Sequence, residues 1–136
     1  MKDYQYYGLF LSTVVKNKLM NTLVSNPSYD TLLNKAERTF IDHCTLMHIS
    51  QREEQLETIL NNSLNETFCI AITGVGISDK AIAFRVKKCG IVALCKNKTP
   101  HITIATFNGG KPVDSNKITN WEYIEPIIID VKLEKR

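Results

Sequence analysis

The chain has 136 residues, 43% of them apolar, and a formal net charge of +3. Such a length supports one domain with an adequate core, and no apolar run nears the roughly 20 residues a membrane-crossing helix needs. The basic excess is mild. It suits a small anionic ligand better than a long nucleic acid, which would reward a stripe of Lys and Arg.

The start Met1-Lys2-Asp3-Tyr4-Gln5 has no apolar signal region behind a basic head, so a cytoplasmic location is expected. Residues 6–11 are aromatic and apolar, a first strand. Ser12 can cap a helix over 13–24, with Val14, Val15, Leu19 and Leu23 at helical spacing; Asn26-Pro27-Ser28 ends it. Residues 29–38 read either as a short helix or as a loop crossing one end of the sheet. A strand over 39–49 follows. Ser50-Gln51-Arg52-Glu53 matches a capping box before a helix carrying Leu56, Ile59 and Leu60. Residues 68–77 form a long strand whose glycines suggest a bulge or a bend, and 81–86 the returning strand. Residues 90–95 read as another strand, 101–107 as the next, and 127–133 as a closing one. About seven strands with few helices in a short chain argue an α+β fold in one domain, 1–136.

Two strands carry the same signature. His43-Cys44-Thr45-Leu46 and His101-Ile102-Thr103-Ile104 each read His-x-Thr-x, in a chain with only three histidines. Residues i and i+2 of a strand share a face. If the strands are neighbours, two imidazoles and two hydroxyls line one groove. A neutral imidazole accepts a proton, a protonated one donates, and hydroxyls donate to anionic oxygens. That set suits phosphodiester chemistry without a metal. His48 lies at odd spacing from His43 and should face away from it. The four cysteines, Cys44, Cys69, Cys89 and Cys95, show no metal-ligand spacing and read as free thiols. Lys87-Lys88 and Lys96, Lys98 are short basic groups near the second motif, read equally well as phosphate-steering or as solvated turns.

The paired motifs resemble those of the 2H phosphoesterase superfamily (LigT-like). The opening Tyr6-Tyr7-Gly8-Leu9-Phe10-Leu11 is similar to that family's first strand. The run Gly109-Gly110-Lys111-Pro112-Val113-Asp114-Ser115-Asn116 is similar to a segment of its RNA-repair-like branch. The resemblance implies a two-lobed fold, with antiparallel sheets flanking a central groove and helices outside. It implies catalysis by His43, Thr45, His101 and Thr103, and ligand contacts from Lys111, Ser115, Asn116 and Tyr7.

The expected activity is metal-independent hydrolysis of small cyclic or 2′-linked nucleotides, with cyclic dinucleotide immune signals such as 2′,3′-cGAMP among the candidates. A viral source would suit the Ile, Asn and Lys richness. Alternatives are a 2′,3′-cyclic phosphodiesterase acting on RNA 3′ ends and a non-catalytic nucleotide- or RNA-end-binding module. The protein is expected to be a monomer needing no cofactor, metal or membrane.

Overall fold

The computed structural model describes residues 4–136; Met1, Lys2 and Asp3, part of the start that shows no signal region, lie outside the described residues. The chain forms strands β1 (Tyr6–Phe10), β2 (Arg38–Thr39), β3 (His43–His48), β4 (Thr67–Ile77), β5 (Ala81–Val86), β6 (His101–Thr106) and β7 (Trp121–Lys135), with helices α1 (Thr13–Val24), α2 (Pro27–Leu33) and α3 (Glu54–Asn62). Ser12 caps α1 by accepting the Val15 N–H. Asn26 caps α2, with Pro27 in its first turn, so the Asn-Pro-Ser run starts a second helix as well as stopping the first.

The open two-lobed fold implied by the 2H resemblance is not the one adopted. All pairings are antiparallel, in the order β6-β3-β1-β7-β4-β5, and β5 pairs back onto β6. The sheet therefore closes into a six-stranded barrel, with β2 as an extra strand on β6 and helices flanking it. Closure satisfies backbone groups that two separate lobes would leave at open edges. One apolar cluster joins barrel residues Tyr7, Leu9, Cys44, Leu46, Ile102 and Ile104 to Leu19 and Leu23 of α1 and Leu56 and Leu60 of α3. Among the described residues, no helix is long and apolar enough to cross a membrane.

Four local expectations are revised. The strand expected over 39–49 is broken at Ile41, whose φ is +50°. Residues before the break pair with β6 in one register (Thr39 with Ala105) and those after it in another (Cys44 with Ile102). The 90–95 run is a 3-10 turn (Gly90–Leu94) that buries Val92; Gly90 has φ +59°. The cap expected at Ser50 belongs to His48, whose ring accepts the Ser50 N–H, and α3 starts later, at Glu54. Val14 and Ile59, placed on apolar stripes by spacing, are 78% and 49% exposed.

Candidate functional site: a paired-histidine cavity

β3 and β6 are neighbours, and Cys44 pairs with Ile102. Counting outward along antiparallel strands sets His43 across from Thr103 and Thr45 across from His101. Cys44, Leu46, Ile102 and Ile104 alternate with them and are buried in the apolar cluster. The two histidines and two threonines thus share the opposite face, where they line a cavity of about 830 Å³. Its other walls include Tyr6, Lys16, Phe40, Asp42, His48 and Asn116.

His43 is held by its ring faces and by Nδ1. Its ring stacks on Tyr6 and Phe10, with centroids 4.8 and 5.0 Å away. Its Nδ1 lies 3.0 Å from Asp42 Oδ2, and Lys16 Nζ donates to the other carboxylate oxygen at 2.7 Å. Adjacent residues of a regular strand point to opposite faces. Asp42 reaches its neighbour's ring because the break at Ile41 has just turned the chain. Gly8 of β1 makes room for this stack: a Cβ there would lie 3.1 Å from Phe10 and 3.4 Å from His43.

His101 is held differently, its Nδ1 2.9 Å from the Thr99 carbonyl. A carbonyl can only accept, and an ionised carboxylate can only accept, so both rings carry their proton on Nδ1. Each neutral ring then keeps a bare Nε2 lone pair. Burial pushes the His43 pKa below the ordinary imidazole value; the Asp42 bond and charge pull it up without cancelling that, and Arg136 and Lys16 push it down. Burial also lowers His101, against the Thr99 bond that raises it, and His43 adds a repulsion that lowers it. Burial raises Asp42, but bonds from Lys16 and His43 outweigh it and hold the carboxyl below its usual range. At neutral pH the site holds two neutral bases beside an ionised carboxylate.

The other residues singled out from the sequence divide. Asn116 lines the cavity. Ser115 does not; it is buried, and its Oγ lies 2.9 Å from Thr103 Oγ1, so it props the threonine. Lys111 is exposed at the start of the 3-10 turn Pro112–Lys117, where its N–H donates to Asp114. Tyr7 is fully buried and its hydroxyl donates to Asn61 at 2.6 Å, so it faces the core. His48, which regular alternation sets on the face away from His43, does not lie there. Tyr7 pairs with Met47 but Gly8 with Thr45, so Leu46 is an extra residue in a bulge. The bulge resets the alternation and brings His48 into the same cavity as His43. Asp42 and Lys16 carried no motif; an acid directly before a motif histidine was the one available sign of the pair.

Among the described residues, no three His, Cys, Asp or Glu side chains gather closely enough to hold a metal ion. No family model matches the chain, and neither does any curated protein. Among solved structures, a crystal structure of a fungal RNA kinase is similar, with a TM-score of 0.61 at 14% identity. That match covers 96% of this chain and 46% of the kinase chain, so this chain spans about half the length of the structure it matches. At such low identity the likeness speaks for the fold alone. The 2H identity is thereby withdrawn, and with it the cyclic-nucleotide phosphodiesterase activity, the immune-signal and RNA-end substrates and the nucleotide-binding alternative. All of these depend on an architecture that the closed barrel replaces.

Proposed function

We propose that the cavity is a binding site for a small ligand held through a tetrahedral oxyanion. One observation carries the reading. Two imidazoles from paired strands each have Nδ1 tied to an acceptor, which leaves two Nε2 lone pairs for one cavity. Thr45 stands beside them as a hydroxyl donor to the oxyanion, and Thr103 joins it once its proton turns from the Pro112 carbonyl, 3.4 Å away, while Ser115 donates to its oxygen. An entering anion favours the charged form of the ring it touches. One histidine then takes up a proton and donates it in a charge-assisted hydrogen bond to the anion. His43, Thr45, His101 and Thr103 are the working residues, and the whole chain, 1–136, acts as one domain. The four free thiols favour a reducing, cytoplasmic setting.

Calorimetric titration with inorganic phosphate, in buffers of different ionisation enthalpy, tests this. Wild type should bind with net proton uptake near pH 6.5. His43→Ala and His101→Ala should each weaken binding about tenfold, the loss of one charge-assisted bond. Binding by both variants at wild-type strength, or binding without proton uptake, would overturn the reading.

A further inference from the structure

We infer that a second cleft, beside His101 but distinct from the cavity, is a binding site for a short stretch of single-stranded nucleic acid. It encloses about 410 Å³ and is lined by Arg85, Lys87, Lys88, Lys98, Trp121 and Tyr123, among others. The cations come from three places: the end of β5, the residues just after it, and the approach to β6. Among the described residues, none of the four is in an ion pair. The one acid in the lining, Glu122, accepts a hydrogen bond from the Tyr29 hydroxyl at 3.3 Å.

Strand register gives the cleft its shape. His101 pairs with Arg85, Arg85 with Gly74, and Gly74 with Tyr123. Paired residues share a sheet face, so these four form a row across β6, β5, β4 and β7, with strands about 4.8 Å apart. Gly74 leaves the floor between Arg85 and Tyr123 without a side chain; a Cβ there would come within 2.9 Å of the Glu122 carbonyl. Trp121 packs over Gly76 and Ile118 as a wall, and a Cβ on Gly76 would lie 2.4 Å from its ring. Tyr123, by contrast, is 71% exposed.

Cations that track a phosphate backbone, with an open aromatic ring beside them, are what sequence-tolerant single-strand binding uses. A flexible polyanion without bases would satisfy the lysines and leave Tyr123 idle. The mild overall charge agrees with a short footprint, of which these four cations are the part that faces one cleft.

The test is fluorescence anisotropy of the full chain with labelled single-stranded oligothymidylate and oligouridylate over a range of salt. Four phosphate contacts predict that log affinity falls with log salt at a slope of roughly −3. The double variant Lys87→Gln, Lys88→Gln should flatten that slope by roughly 1.4. Tyr123→Ala should weaken binding about tenfold at an unchanged slope. Unaltered melting curves would exclude misfolding of these surface variants. Affinity indifferent to both changes would overturn the inference, as would inorganic polyphosphate competing as well as the oligonucleotide with Tyr123→Ala silent. The readout is binding alone, so its outcome is independent of proton transfer at the histidine pair.

Discussion

Replacing Asp42 with Asn isolates what the carboxylate does for His43. The amide keeps the shape and removes the charge. Two unit charges about 4 Å apart interact by roughly 4 kcal/mol at an effective dielectric of 20 and about 1 in water. Asp42 is 36% exposed and His43 26%, so the screened end applies, about 1–2 kcal/mol. That equals roughly a 5- to 30-fold fall in the ratio of imidazolium to neutral His43. Asn also brings an N–H₂ group. If it donates to Nδ1, the ring proton moves to Nε2 and the base is lost. Long-range ¹H–¹⁵N NMR of the histidine rings reads both effects. The wild-type His43 should be the Nδ1–H tautomer and the variant should titrate at lower pH, with phosphate binding at pH 6 weakened in proportion. Lys16→Met should do the reverse to His43, because Lys16 lowers its pKa. An unchanged tautomer and titration in Asp42→Asn would refute the reasoning.

Three further outcomes are expected. His43 and His101 have lowered pKa values in the fold, so between those values and the ordinary 6.5 the unfolded chain binds more protons. Stability should therefore be highest above pH 6.5 and fall as the pH drops through that window; a melting temperature flat or rising from pH 7 to 5 would contradict this. Ser115→Ala removes a buried partner of Thr103 and should cost about 1–2 kcal/mol in urea unfolding, whereas a solvated serine would cost nothing measurable. Gly8→Ala should displace the stacked Phe10 and His43 rings and weaken phosphate binding roughly tenfold with the fold retained; full affinity would show that the ring's position is not critical.

Alternation made much of the site legible in advance. Buried Cys44, Leu46, Ile102 and Ile104 necessarily set His43, Thr45, His101 and Thr103 on the other face. What the sequence hid was set by long-range pairing. Barrel closure depends on β6 meeting both β5 and β3, partners that no local pattern names. One extra residue, Leu46, decided the direction of His48, because a single-residue slip inverts a strand's faces. The turn at Ile41 placed an isoleucine at positive φ, against its preference, and only tertiary contacts sustain that. Its main chain N–H is held by the Thr103 carbonyl at 2.9 Å. The 90–95 run is apolar enough for a strand, yet positive φ at Gly90 starts a 3-10 turn that buries Val92 instead. The family resemblance rested on short motifs, and short motifs do not specify how strands close.

The central claim is that both imidazoles address one oxyanion. A crystal grown with tungstate, located by its anomalous signal, tests it directly. The account predicts one tungstate in the cavity, its oxygens about 2.7–3.2 Å from Nε2 of both His43 and His101 and within reach of the Thr45 and Thr103 hydroxyls. A tungstate bound by one histidine alone, or found in the Arg85 cleft with the cavity holding none, would contradict it.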